Sequence, residues 1–162
     1  MSNTFRDIFN ENSIFFKIYP PFMEVLRVFL SKAKEKGLEV DIFQGYRSFE
    51  EQQSLYNKGR TEPGDKVTNA KPGQSWHNYG LAVDIVFKPS GKWSWAEEHD
   101  WNKLGEVGKE LGLEWGGDWK SFQDRPHFQW PNLFSLTEAK RIYDSQGLNG
   151  VWTEVSNGEM VA

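Results

Sequence analysis

The chain has 162 residues, 15% of them aromatic, with 19 basic and 23 acidic side chains and no cysteine. This length suits one compact domain, and the aromatic content argues against disorder. A net charge of −4 without a basic cluster argues against phosphate-mediated binding of nucleic acid. Without cysteine, neither disulfides nor thiolate ligands are available, so that a zinc site must use histidine and carboxylate.

The predicted elements alternate between helix and strand. Residues 1–19 are expected to form a strap packed on the core, and residues 60–76 form a long loop rich in proline and glycine. Periodicity and capping signals predict, in chain order, a helix from Pro20 that ends before Gly37, a strand over Leu38–Gln44, a helix from Ser48 to about Lys58, a strand over Leu81–Phe87, a helix over Trp95–Leu111, an alternating stretch from His127 to Trp130 and a helix from Ser135 to about Asp144.

These elements predict an α+β fold, in which helices pack against a small antiparallel sheet. We expect a single domain over residues 1–162, with residues 145–162 as a loosely held tail and no separate wall-binding domain. The N-terminus lacks the basic-then-apolar layout of a signal peptide, and no apolar run approaches the ~18 residues of a membrane span. Synthesis in the cytoplasm without a signal peptide is therefore expected.

The second predicted strand carries a carboxylate in the most apolar run of the chain. Asp84 lies between Val83 and Ile85, where burying a charge is costly unless a partner compensates it. His77 precedes it by seven residues, and a histidine with an aspartate suits zinc. Ala82 shares the face of Asp84 and is small, which leaves room for a metal ion or a substrate.

A third ligand and two catalytic groups come from distant segments. His127 completes a set of three ligands, and a catalytic zinc keeps its fourth position for a water that ionises near neutral pH. Asp124 is the candidate general base, although in an extended segment its offset of three residues from His127 would place it on the opposite face. A turn at Arg125–Pro126 would return it to the site. Arg47, at a strand-to-helix turn, is placed to neutralise an oxyanion.

These motifs resemble a known family of peptidases. The pattern Ser75-x-His77-x-x-Gly80-x-Ala82-x-Asp84 followed by Asp124-x-x-His127 resembles the zinc peptidases of the D-alanyl-D-alanine carboxypeptidase type, whose superfamily includes lysostaphin-type endopeptidases and the hedgehog signalling domain. Gly45-Tyr46-Arg47-Ser48 and Trp115-Gly-Gly-Asp118-Trp119 are similar to its L-alanyl-D-glutamate peptidase branch, which includes phage endolysins and bacterial cell-wall hydrolases. The matching motifs run from about residue 45 to residue 130.

The resemblance implies a role for each residue that matches the family. It implies that His77, Asp84 and His127 hold one zinc ion. Asp124 would act as the general base, and Arg47 would stabilise the tetrahedral intermediate. The implied substrate contacts are Ser75, Gln53, Asp118 and Trp119. The family's dipeptidase members carry glutamate at the position of Asp124. The fold implied is that of the hedgehog and D-Ala-D-Ala peptidase domains.

The implied reaction is hydrolysis of the peptidoglycan stem peptide, foremost at the L-Ala–D-Glu bond, by a monomer that reaches the cell wall after release or export. A D,D- or L,D-carboxypeptidase acting on the same stem peptide is the first alternative, because the same metal site would serve it. The second is a zinc-stabilised binding module that no longer catalyses, as in the hedgehog domain. The presence of both Asp124 and Arg47 favours an enzyme.

Overall fold

The computed structural model describes residues 4–161, so that residues 1–3 of the predicted strap and Ala162 lie outside the described residues. The helices are α1 (Thr4–Phe9), α2 (Pro20–Glu35), α3 (Phe49–Asn57), α4 (Trp101–Glu110) and α5 (Leu136–Val161). The strands are β1 (Val40–Gln44), β2 (Ala82–Phe87), β3 (Glu114–Trp115) and β4 (His127–Gln129). The predicted α+β class is confirmed. No helix in this range is long and apolar enough to cross a bilayer.

The four strands form one antiparallel sheet in the order β1-β2-β4-β3. The central strand β2 therefore pairs with β1 on one side and with β4 on the other. The register places Asp84 opposite Gln44 on β1 and opposite His127 on β4. A bulge in β1 leaves Phe43 unpaired between Ile42 and Gln44. Asp84 thus lies in the middle of the sheet, flanked by a polar residue on each neighbouring strand.

One apolar core joins the sheet to the helices. From β2 it takes Val83 and Ile85, and from α2 it takes Leu26 and Phe29, all of them without exposed surface. The ring of Phe29 meets that of Phe128 on β4 edge to face, with 4.9 Å between the centroids. Each fully buried side chain of this kind contributes about 1.5–3 kcal/mol to the hydrophobic free energy of folding. This packing leaves the opposite face of β2, with Asp84, free for the site.

The C-terminal segment differs from the loosely held tail predicted for residues 145–162. The helix predicted from Ser135 ends close to the expected Asp144, at a break at Gly147 whose φ is 73°, and the chain then forms a second helical segment up to Val161. Val151 is fully buried, and Trp152 Nε1 donates a hydrogen bond of 2.8 Å to the carbonyl oxygen of Tyr79. The glycines and asparagines of this segment obscured an apolar face that tertiary contacts stabilise.

Helix α4 begins later than the Trp95 start that the sequence predicts. Asp100 caps it, because its side chain accepts a hydrogen bond of 3.0 Å from the N–H of Lys103. The residues before this cap run beside β2 instead, where the N–H of Ser94 donates to the carbonyl oxygen of Phe87 at 2.8 Å. The cap signal of Asp100 is the local feature that sets the start of α4.

We expect Gly80→Ala to destabilise the protein by about 3 kcal/mol or more, through both a left-handed backbone and a clash. Gly80 has φ of 68°, and a Cβ there would lie 1.9 Å from the carbonyl oxygen of Lys17. Gly112→Ala is the matched control, since Gly112 has φ of 87° with no atom within 4 Å of its Cβ position. Its expected cost is about 1–2 kcal/mol. Equal losses of unfolding free energy in the two variants, measured by urea denaturation, would contradict the close approach of Gly80 to the backbone of Lys17.

Candidate metal and catalytic site

The three predicted metal ligands meet at one point of the sheet. His77 lies on a 3₁₀ turn, Trp76–Tyr79, directly before β2, while Asp84 and His127 lie on β2 and β4. Asp84 Oδ1 is 3.4 Å from His77 Nε2 and 3.9 Å from His127 Nδ1. One ligand atom from each residue lies within 4.8 Å of the others. Both histidines are buried, whereas Asp84 is partly exposed, so that the three atoms converge where the protein surface opens to solvent.

The carboxylate of Asp84 carries a buried oxygen that the fold leaves unsatisfied. Among the described residues, Asp84 Oδ1 has no hydrogen-bond partner. Burial raises the pKa of Asp84, but the charges of His77, His127 and Arg47 outweigh that effect and hold the pKa below its usual value. A buried, ionised and unsatisfied oxygen beside two imidazole nitrogens fits a divalent metal ion, which would compensate its charge.

Each histidine presents a defined nitrogen to the site. His77 Nδ1 lies 2.9 Å from the carbonyl oxygen of Gly45, which can only accept, so that the lone pair of His77 is on Nε2. On His127, Nε2 lies 2.7 Å from Gln129 Oε1, and Gln129 Nε2 donates to Glu114 at 3.2 Å. The amide oxygen of Gln129 thus accepts from Nε2–H, which leaves Nδ1 of His127 as the ligand atom. Such outer contacts orient metal ligands.

Arg47 is held by polar side chains on both sides. It follows β1 and precedes α3, where Ser48 caps the helix. Its guanidinium donates to Gln44 Oε1 at 2.6 Å and to Gln52 Oε1 at 2.9 Å, and it lies 4.0 Å from Asp84 Oδ2. Burial lowers the pKa of Arg47, whereas the charge of Asp84 raises it. The result is a fixed cation at the edge of the ligand set.

Asp124 lies beside the ligands because the chain turns before β4. The N–H of His127 donates to the carbonyl oxygen of Asp124 at 3.2 Å, which closes a turn over Arg125–Pro126. Asp124 Oδ2 is 4.0 Å from His127 Nδ1. Burial and then the charge of Asp84 raise the pKa of Asp124 to about 6, and burial lowers the pKa of His127 to about 4. The turn therefore brings Asp124 to the face from which strand alternation would exclude it.

The predicted substrate contacts divide into two groups. Ser75 and Trp119 line the same cleft as the ligands, and the ring of Trp119 lies 4.9 Å from that of His127. Asp118 is instead paired with Lys109 at 3.1 Å. Gln53 is exposed and donates to Asn57 at 2.7 Å. The structure therefore does not bring Gln53 or Asp118 into the cleft.

Two functional positions carry no role in the sequence prediction. Gln52 rather than its neighbour Gln53 is fully buried against Arg47, and it also donates to the carbonyl oxygen of Ala70 at 2.8 Å. Gln129 accepts a hydrogen bond from Nε2 of His127 and so fixes the orientation of its ring. Alternation along β4 already puts Gln129 on the face of His127, which is a signal for its role, whereas only the packing of α3 distinguishes Gln52 from Gln53.

Residues 68–130 match the model of the D-alanyl-D-alanine carboxypeptidase family. The peptidoglycan L-alanyl-D-glutamate endopeptidase CwlK of Bacillus subtilis is 48% identical in an alignment of 106 residues, and the match covers 60% of this chain and 64% of that protein. The match thus spans less than two thirds of the length of this curated relative. The residues matched by the family model include the motifs His77 to Asp84 and Asp124 to His127.

Two solved structures share the fold. The Serratia marcescens L-Ala D-Glu endopeptidase ChiX is 28% identical with a TM-score of 0.52, over 70% of this chain and 80% of that one. A vancomycin-resistance D,D-pentapeptidase, VanY, solved in complex with Zn(II), is 22% identical with a TM-score of 0.52, over 75% of each chain. The likeness to VanY concerns the fold alone. Together with the family match, these findings confirm the resemblance drawn from the motifs.

We expect Gln129→Leu to weaken metal binding by about 10- to 100-fold, because His127 loses the acceptor that fixes its Nδ1 toward the site. The measurement is a competition titration of zinc against a chromophoric chelator. Gln146→Leu, at an exposed position of α5, is the control and should bind zinc as the wild type does. Unchanged affinity in Gln129→Leu would show that His127 does not depend on this contact.

Proposed function

We propose that this chain, whose residues 68–130 match the model of the D-alanyl-D-alanine carboxypeptidase family, is a zinc-dependent peptidoglycan hydrolase that cleaves the L-Ala–D-Glu bond of the stem peptide. The observation that carries the proposal is the convergence of the His77–Asp84–His127 set with Arg47 and Asp124 in one cleft. The relative CwlK and the structural neighbour ChiX, both named as L-alanyl-D-glutamate endopeptidases, support this bond.

The proposed metal is one zinc ion per chain. Two imidazole nitrogens and one carboxylate oxygen form a donor set typical of catalytic zinc, which takes three protein ligands and leaves one position open. Bound zinc supplies a Lewis acid and lowers the pKa of a coordinated water. The unsatisfied oxygen of Asp84 is the feature of this chain that the ion would compensate.

The chain's own groups divide the remaining work. Asp124 would accept a proton from the attacking water and deliver it to the leaving amine, since its carboxylate lies beside His127 at the cleft surface. Arg47 would donate to the oxyanion that develops on the attacked carbonyl, because its guanidinium is fixed by Gln44 and Gln52 before substrate binds. Ser75 and Trp119 are proposed to contact the peptide from the cleft walls.

The proposal also includes that the protein is a monomer and that it reaches peptidoglycan after release or export. The carboxypeptidase alternative uses the same metal site but requires a group that reads a free carboxylate. The binding-module alternative requires that the site no longer turn over substrate. Product analysis separates all three.

The decisive test is digestion of purified peptidoglycan by the zinc-loaded protein. We expect new N-terminal D-Glu in the soluble products, its loss on addition of a chelator and its return with zinc, because the proposed hydrolysis depends on the bound ion. Mass spectrometry of the muropeptides identifies the bond. Release of D-Ala alone would establish the carboxypeptidase instead, and zinc binding without release of either would favour the binding module.

We expect Asp124→Asn to lower kcat by about 10²–10⁴-fold while zinc remains bound, because the amide keeps the shape of the carboxylate but cannot accept the proton. Asp65→Asn, on the exposed loop before the 3₁₀ turn, is the matched control and should retain wild-type kcat. Metal content is measured on both variants. Wild-type turnover in Asp124→Asn would exclude Asp124 as the base.

A further inference from the structure

The cleft contains most of the large apolar side chains that the protein exposes. Eight such side chains are exposed in the described part of the chain, and five of them line this cleft of about 1000 Å³. The five are Phe43, Val67, Trp95, Trp119 and Phe122. Exposed apolar groups that gather at one place, rather than scatter singly, mark a binding surface.

Three rings form a continuous group that we call the aromatic rim: Phe43 and Trp95, which line the cleft, and Trp93, which packs on Phe43. The centroid of Phe43 lies 5.2 Å from that of Trp93 and 4.9 Å from that of Trp95. Both tryptophan rings stand nearly perpendicular to Phe43, at 81° and 86°, so that the rim is angled rather than flat. Phe43 and Trp95 remain 43% and 49% exposed, which leaves ring surface free for a ligand.

The rim is fixed to the strands that carry the site. Phe43 is the extra residue of the β1 bulge, and bulges beside active sites redirect side chains. The next residue, Gln44, pairs with Asp84 and accepts from Arg47. On the other side of the rim, Ser94 is hydrogen-bonded to the end of β2. The rim therefore keeps a constant position relative to the ligands.

The stem peptide alone offers little to an aromatic surface. Under the proposed function, on which this inference rests, alanine and glutamate flank the scissile bond, and neither has a broad apolar face. The alanine is joined to the muramyl sugar, whose pyranose ring presents a face of C–H groups that stacks on aromatic rings. One extended residue spans at most about 3.6 Å, so that a sugar one residue from the scissile bond lies close to the metal ligands, as the rim does.

We propose that the aromatic rim binds the muramyl sugar of the glycan strand, and that the enzyme thereby prefers stem peptides still attached to glycan over free stem peptides. The sugar would stack on Trp95 or Phe43 through its C–H face while its hydroxyl groups remain hydrated. Binding energy gained at this distance from the reacting bond can also position the amide over the metal site.

The test is calorimetric titration of the zinc-loaded protein with N-acetylglucosaminyl-N-acetylmuramyl-L-alanine and, as the sugar-free probe, N-acetyl-L-alanine. The disaccharide probe should bind at least about tenfold more tightly than the sugar-free one, and Trp95→Ala and Phe43→Ala should each remove about tenfold of that affinity. Phe9→Ala, which removes an exposed phenylalanine outside the cleft, is the control and should leave it unchanged. Equal affinity of wild type and both rim variants would overturn the proposal.

A kinetic comparison separates this inference from the proposed function. Rim variants should lower kcat/KM for a disaccharide-linked stem peptide and leave that for the free peptide at the wild-type value. Equal losses on both substrates would overturn the rim proposal and leave the endopeptidase intact. Failure of the wild type to cleave either substrate would contradict the endopeptidase, while the titration still decides whether the rim binds sugar. If Phe43→Ala disturbs the bulge in β1, the result for Trp95→Ala decides whether the rim binds sugar, because Trp95 lies outside the sheet.

Discussion

The structure depends on one costly feature, a carboxylate buried in the central strand of a small sheet. Asp84 sits where apolar neighbours exclude water, and its ionised form persists because cationic and imidazole groups surround it. The pairing of β2 with β4 supplies His127, the 3₁₀ turn before β2 supplies His77, and the segment after β1 supplies Arg47. The sheet order is therefore what converts an unfavourable burial into a ligand site.

The ligands and the groups around them come from different kinds of structural element. The ligands come from two strands and a 3₁₀ turn whose backbone is packed in the core, and a network of glutamine side chains fixes the orientation of His127 and Arg47. Asp124 and, apart from Phe43 on β1, the aromatic walls come from the connections around that frame. Fixed ligands with a variable surround are suited to one type of chemistry applied to substrates that differ in their flanking groups.

The aromatic rim lies beside this site and is proposed to bind the substrate. The bulge at Phe43 interrupts β1 beside the residue that binds Arg47, so a single irregularity both redirects an aromatic ring and ends the regular pairing with β2. An open cleft with apolar walls and a polar centre matches a substrate in which a sugar with a C–H face precedes a polar peptide. The proposed preference for stem peptides attached to glycan therefore depends on the bulge in β1, which sets the position of Phe43.

Local pattern in the sequence predicted most element types, the α+β class and the capped starts at Ser48 and Ser135, because periodicity and capping act over a few residues. The motifs and their family resemblance also predicted His77, Asp84, His127 and Arg47 as site residues. Tertiary structure alone decided four matters: that the turn at Arg125–Pro126 returns Asp124 to the ligands, that Gln52 and not Gln53 faces Arg47, that residues 148–161 pack as a second helical segment, and that Phe43 and the two tryptophans meet. Each of these depends on contacts between segments far apart in the chain, and such contacts leave no periodic signal in either segment.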